Sequence, residues 1–141
     1  VALQETPNKE SFSLTGATAL AIDNRYIACF GGVNASLFIN TITYLYHIGR
    51  DTTLTDEARK QKNYDYMSHY MTQPIAYYKF NQECYLFDTH TKQWSVLDTQ
   101  PDFARAGATL VGTPDEFYLI QGELKPGVRS PKTYKLKILS N

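Results

Sequence analysis

The 141-residue chain has 14 basic and 14 acidic residues, so its formal net charge at pH 7 is zero. A neutral chain lacks the basic surplus that is typical of proteins that bind nucleic acids or anionic membrane surfaces. No run of residues reaches the ~18 consecutive apolar positions that a membrane-spanning helix needs. We therefore expect neither a nucleic-acid partner nor a membrane partner.

The first part of the chain has the pattern of a β-hairpin. Segment 1–13 is polar and is interpreted as a linker or the remnant of a strand. Residues 16–22 and 26–30 are apolar with β-branched positions, and the Asp-Asn-Arg at 23–25 has the composition of a tight turn. Two glycines at 31–32 end the second stretch. The pattern predicts two antiparallel strands followed by a glycine turn.

Two helical patterns follow the hairpin. Residues 35–48 carry apolar side chains at near-helical spacing. A second helix is predicted from Thr55, an N-cap hydroxyl followed by two acids, to about Met71. We expect these helices to form an insertion at about 33–80 that packs over one end of the sheet.

The strand pattern then resumes and repeats. Apolar runs at 84–88 and 94–97 predict a third and a fourth strand. The Thr-Gly-Ala-Thr of 15–18 has a close copy, Ala-Gly-Ala-Thr, at 106–109, and a second hairpin pattern ends in a glycine turn at 122. Self-similarity of this kind indicates a repeat architecture.

One repeat resembles a four-stranded blade of a kelch-type β-propeller, in which a glycine pair follows the second strand and Tyr and Trp occupy the later strands, here Tyr85 and Trp94. We assign one blade to 14–101 and part of the next to 102–141. A single repeat leaves apolar faces open, because blades bury their faces against neighbouring blades. We therefore expect an incomplete all-β propeller segment, with the remaining blades or a second copy covering those faces.

Cys29 and Cys84 are too few to make a disulfide framework. Both fall in apolar strand patterns, so we expect buried free thiols. Because the two strands are expected to be neighbours, a single bridge remains an alternative.

The run 122–129, Gly-Glu-Leu-Lys-Pro-Gly-Val-Arg, follows the second strand of the second repeat. Glu123 comes directly after a turn glycine, where we expect its carboxylate to point toward the central funnel of the propeller. Lys125 and Arg129 in the same loop can hold an anionic group, and the planar fork of arginine suits a carboxylate. The alternative is that Glu123 is a surface glutamate paired with one of these cations.

The run 122–129 and the Arg-Ala-Gly-Ala at 105–108 resemble the bacterial N-acetylneuraminate epimerases, which are kelch-type mutarotases that interconvert the anomers of sialic acid. The family has Asn-Gly-Glu-x-Lys-Pro-Gly-Leu-Arg at the matching place, so Gln121 and Val128 are departures from its pattern. The Gly-Gly-Val-Asn at 31–34 matches as well.

The resemblance implies a six-bladed propeller and an isomerase that opens and recloses the sugar ring by acid–base catalysis. The proposed proton acceptor of the family falls on Glu123. We expect Arg129 to anchor the substrate carboxylate, with Arg105, Lys125 and Asn34 as further substrate-binding residues. Two alternatives stay open: Arg105 as a structural residue at the blade edge, and Lys125 as a charge that only solvates the loop.

The competing function is a non-catalytic kelch module that binds proteins or carbohydrates. A copper oxidase on a similar propeller needs ligands grouped in the funnel, and His47, His69 and His90 lack metal-ligand spacing. We expect no metal and no cofactor, and a small acidic sugar as the ligand. Family members act in the periplasm, so the resemblance implies a periplasmic or secreted protein.

Overall fold

The structure is a computed structural model in which residues 12–139 are described. The segment predicted as a linker or strand remnant, 1–13, lies almost wholly outside the described residues. The elements in chain order are β1 (Thr18–Ile22), β2 (Tyr26–Phe30), α1 (Ala35–Arg50), α2 (Asp56–Met71), β3 (Glu83–Asp88), β4 (Gln93–Thr99), β5 (Thr109–Thr113), β6 (Glu116–Ile120), β7 (Glu123–Lys125), β8 (Val128–Arg129) and β9 (Thr133–Leu136).

The strands form antiparallel sheets. Strands β1 to β4 make a four-stranded sheet in sequence order, and β5, β6 and β9 make a three-stranded sheet. Strands β7 and β8 form a separate two-stranded hairpin between β6 and β9, where the sequence predicts a loop around a Pro-Gly turn. The protein is thus mostly β, with two helices inserted between β2 and β3.

Both predicted helices are confirmed. Helix α1 begins after Asn34, whose side-chain oxygen accepts a hydrogen bond from the backbone N–H of Leu37. Helix α2 begins after Thr55, whose hydroxyl oxygen accepts from the N–H of Ala58, and it ends at the predicted Met71. Neither helix in the described part of the chain is long and apolar enough to cross a membrane.

The hydrophobic core lies between the two larger sheets. Phe30 of β2 packs edge-on against Phe103, with ring centroids 5.0 Å apart, and lies 5.7 Å from the ring of Phe117 in β6. Cys84 belongs to the same buried cluster. Cys29 and Cys84 are free thiols, and burial raises the pKa of Cys29 to about 11 and that of Cys84 to about 12.

Three connections lie close together at one end of the sheets. Because successive strands run in opposite directions, the β2–α1 connection, the β4–β5 connection and the β6–β7 turn all occur at the same end. Contacts hold these loops together: the N–H of Gly32 donates to the carbonyl oxygen of Arg105 at 2.9 Å, and the N–H of Gly107 donates to the carbonyl oxygen of Gly16 at 2.8 Å.

Gly31 permits this close approach. Its φ is +74°, and a Cβ built on it would lie 2.2 Å from the carbonyl oxygen of Arg105. We predict that Gly31→Ala lowers the free energy of unfolding by about 3 kcal/mol, because it combines left-handed strain with a backbone clash. Gly49→Ala is the matched control. A Cβ there meets nothing within 4 Å, so this substitution should raise the free energy of unfolding by up to about 1 kcal/mol. Urea unfolding of both variants measures the difference, and equal midpoints would contradict the prediction.

Candidate active site

The backbone of Glu123 is fixed against the start of the second repeat. Its N–H donates to the carbonyl oxygen of Ala106 at 2.7 Å, and the N–H of Ala106 donates back to the carbonyl oxygen of Glu123 at 2.9 Å. The chain turns into this position through Gln121 and Gly122, which both have positive φ, +53° and +91°. Two successive residues with positive φ reverse the chain direction sharply, and at the second of them glycine adopts this conformation without steric cost.

Arg129 lies directly across the β7–β8 hairpin from Glu123. Opposite residues of an antiparallel pair project from the same face, with their Cβ atoms about 4.5–5.5 Å apart. Glu123 is half-buried and Arg129 is exposed. Within residues 12–139, neither side chain has an ion-pair or hydrogen-bond partner, so the surface pairing that the sequence left open is not formed.

Glu123 lines a cavity of about 140 Å³ between the helical insertion and the β7–β8 hairpin. We call this space the Glu123 cavity. The insertion contributes the start of α1, the end of α2 and the segment after it, and the hairpin contributes the acid. Its other principal walls are Asn34, Phe38, Tyr70, Tyr78 and Pro126. An acid without a partner in a mostly apolar cavity is a suitable arrangement for proton transfer.

Asn34 also lines the cavity, and the N–H groups of its side-chain Nδ2 are available as hydrogen-bond donors. The residue is 8% exposed, and its Oδ1 caps α1 by accepting from the N–H of Leu37 at 3.1 Å. Its Nδ2 has no hydrogen-bond partner among the described residues. The substrate-binding role predicted for Asn34 remains a prediction, and the cavity gives it an available donor.

Arg105 is 1% exposed and bonds to backbone. Its Nε donates to the carbonyl oxygen of Asp102 at 2.8 Å, and Nη1 donates to that of Gln121. The guanidinium also lies 5.1 Å from the ring centroid of Tyr134. These partners favour the structural alternative, because they leave the cation enclosed in protein rather than facing a ligand.

Lys125 connects the hairpin to the insertion. Its Nζ donates to the carbonyl oxygens of Met71, at 3.1 Å, and Gln73, at 2.7 Å. The last carbonyls of a helix lack intrahelical partners, and a cation is favourable at this negative end of the dipole. Lys125 thus acts as a tether for α2 in this structure, a role the sequence analysis did not identify because the acceptors are distant in sequence.

The tyrosines of the insertion form walls of the cavity. Tyr70 and Tyr78 pack edge-on with ring centroids 5.3 Å apart, and the hydroxyl of Tyr78 donates to the carbonyl oxygen of Tyr70. Burial raises the pKa of both phenols, so they stay protonated at neutral pH. These contacts pack the aromatic side chains of the insertion against one another. The i, i+4 spacing of Tyr66 and Tyr70 was the available signal for this surface.

A protein-family model described as N-acetylneuraminate epimerase matches residues 4–141. The chain belongs to the N-acetylneuraminate epimerase family. Proteins named N-acetylneuraminate epimerase from Escherichia coli, Shigella sonnei and Shigella flexneri are each 33% identical to it over 111 residues. These matches cover 79% of this chain and 28% of each relative, so the chain spans less than a third of their length.

The solved structure of YjhT, a kelch-like propeller, is similar to this epimerase-family chain with a TM-score of 0.75 and 29% sequence identity. The similarity covers 89% of this chain and 34% of YjhT. The family resemblance inferred from the Gly-Glu-x-Lys-Pro-Gly run is therefore confirmed. The antiparallel, mostly β architecture is confirmed as well, while the number of blades stays a prediction.

We predict that Lys125→Met loosens the end of α2 without unfolding the sheets. Losing two hydrogen bonds to a charged group should increase amide exchange at 66–73 by about 10-fold. Hydrogen exchange followed by mass spectrometry on the full-length protein measures this. Lys132→Met, which removes an exposed lysine from the same sheet region, is the control, and equal exchange in the two variants would contradict the tether.

Proposed function

We propose that this chain carries the acid–base centre of a sialic acid mutarotase, which interconverts the α and β anomers of N-acetylneuraminate. The observation that carries the proposal is the placement of an unpaired, half-buried Glu123 opposite Arg129 beside a cavity. Membership of the N-acetylneuraminate epimerase family supports the identity of the sugar.

Glu123 acts as the general base and acid. Its carboxylate takes the proton of the anomeric hydroxyl, and the oxygen's electron pair forms the carbonyl while the bond from the anomeric carbon to the ring oxygen breaks. The ring oxygen takes a proton from a water molecule, and the resulting hydroxide takes this proton back when the ring closes. Rotation of the open-chain carbonyl followed by the reverse steps gives the other anomer and restores Glu123. Positioned proton transfer of this kind typically contributes 10²–10⁴-fold.

Arg129 anchors the substrate carboxylate. In a sialic acid this carboxylate is attached to the anomeric carbon, so the cation that holds it also positions the reacting bonds. The guanidinium lies across the hairpin from Glu123, on the same face, and has no protein partner among residues 12–139. Its two parallel N–H groups suit a carboxylate in a bidentate arrangement.

The two larger sheets are best explained as neighbouring blades of a six-bladed kelch-type propeller, with β1 and β5 innermost. The exposed Val96 and Leu97 of β4 support this, because apolar side chains on an outer blade face suit contact with further protein. We propose that remaining blades, or a second copy, cover such faces. A periplasmic location is part of the same proposal, and it comes only from family resemblance.

We predict that Glu123→Gln slows enzymatic equilibration of the anomers by at least about 100-fold, because the amide keeps the shape and cannot accept the proton. The rate is followed by proton NMR after dissolving one pure anomer with full-length protein. Glu116→Gln is the control: this exposed acid pairs with Lys135, away from the cavity, and should keep wild-type rates. Equal rates for Glu123→Gln and wild type, both faster than in buffer, would remove Glu123 from catalysis, and a wild-type rate no faster than in buffer would favour the non-catalytic module.

We predict that Arg129→Lys raises KM about 10-fold with a smaller change in kcat, since the charge remains and the planar fork is lost. Initial rates at several sugar concentrations separate the two constants. Arg50→Lys, an exposed substitution at the end of α1, is the control. An unchanged KM in Arg129→Lys would remove Arg129 from the binding site.

A further inference from the structure

We infer that the Glu123 cavity receives the acylamino substituent of the sugar and excludes its carboxylate. The inference deepens the proposed function and rests on it, since it names which part of the substrate this space binds. Three properties of the cavity carry it: its volume, the charge of its lining and the polar atom it leaves unsatisfied.

The volume suits a substituent and is too small for a whole sugar. Pockets that enclose drug-sized ligands have volumes of about 300–1,000 Å³, and this cavity has about 140 Å³. A space below this range suits a group of a few heavy atoms better than a whole sugar acid. An acetamido group is of this size, and the sugar ring then lies at the cavity mouth.

The charge of the lining opposes an anion. No lysine or arginine is among the described residues that line the cavity, and Glu123 supplies a negative charge. Three cations on or near the hairpin lie outside this lining: Arg105 and Lys125 donate to backbone carbonyls, and Arg129 is exposed. A carboxylate in this space would be repelled by Glu123 and would lose its hydration without gaining a cation from the lining. A neutral amide group avoids both the repulsion and the cost of burying an unpaired charge.

The lining also complements both ends of an acetamido group. Phe38, Tyr70 and Pro126 offer apolar surface to a methyl group. Asn34 is 8% exposed and its Oδ1 is used by the helix cap, so Nδ2 is left with donors that need an acceptor. Buried polar groups are nearly always hydrogen-bonded, and the carbonyl oxygen of an acyl group supplies the acceptor. The hydroxyl of Tyr78 does not compete, because it donates to the carbonyl of Tyr70.

Two contacts then fix the orientation of the sugar around the acid. The acylamino group enters the cavity, and the carboxylate lies toward Arg129 on the open side of the hairpin. Glu123 borders both regions, so the ring is held beside the base. The cavity thereby discriminates between sialic acids by the substituent on nitrogen, a property separate from the ring-opening chemistry.

The test compares two sugars with the full-length protein. One is N-acetylneuraminate, and the other is the otherwise matching sugar acid with a hydroxyl in place of the acetamido group. Proton NMR gives kcat/KM for anomer equilibration of each. We expect a preference of about 10-fold or more for the acetamido sugar, as is typical when a pocket contact and a hydrogen bond are both lost.

Three variants assign the preference to the cavity. Phe38→Ala removes a wall, and Asn34→Asp keeps a good N-cap while replacing the Nδ2 donors by a carboxylate oxygen. Each should reduce the preference to about 3-fold or less, and the ratio of the two kcat/KM values is the readout because both sugars share the same acid and anchor. Ile39→Ala, an exposed neighbour on α1 outside the lining, should leave the preference unchanged. Melting temperatures of all three confirm folding.

The outcomes are distinguishable. Equal kcat/KM for the two sugars, with both equilibrated faster than in buffer, overturns the subsite and leaves the mutarotase function intact. A preference that survives both Phe38→Ala and Asn34→Asp in folded protein also overturns it. If neither sugar equilibrates faster than in buffer, the proposed function fails and the subsite fails with it.

Discussion

The two larger sheets are joined where the backbone of Arg105 packs against the glycines at 31–32. The positions of Arg105, Gln121 and Glu123 depend on this contact. The carbonyl oxygen of Arg105 accepts from the N–H of Gly32, at a separation that a side chain on Gly31 would prevent. The guanidinium of the same residue is buried and bonds to the carbonyls of Asp102 and Gln121. Burial of a cation is costly unless its donors are satisfied, and the carbonyl dipoles with the ring of Tyr134 offset that cost.

The acid depends on this crossing through two short links. Arg105 holds the carbonyl of Gln121, and Glu123 exchanges two backbone hydrogen bonds with Ala106, the residue after Arg105. The direction of the Glu123 side chain is therefore set by backbone contacts and a buried cation rather than by partners of its carboxylate. Lys125 continues the chain of contacts from the hairpin to the end of α2. The acid is thus held in place while its carboxylate stays free.

The sequence predicts those elements whose signals are local. Strand β2 lies between turn residues, and the cap at Thr55 is a side-chain signal within one helical turn, so the predicted strand at 26–30 and the predicted start of α2 agree closely with the structure. The sequence predicts a loop in place of the β7–β8 hairpin, because strands of three and two residues are too short to show an alternation pattern. The hydrogen-bond partners of Arg105 and Lys125 cannot be predicted from the sequence for another reason. The acceptors are backbone carbonyl oxygens, which every residue type has, so no residue pattern marks them. Glu123 is a candidate from sequence because it follows a turn glycine, whereas the aromatic walls around it are formed only by the folded insertion.

The Glu123 cavity takes its acid from one repeat and most of its walls from an excursion of the preceding repeat. These two segments are separate in sequence, so substitutions in one need not accompany substitutions in the other. Changes in length or side chains within the helical excursion remodel the walls while leaving the strands and the hairpin untouched. The groups that contact a bound molecule can thus change without altering the backbone contacts that fix Glu123.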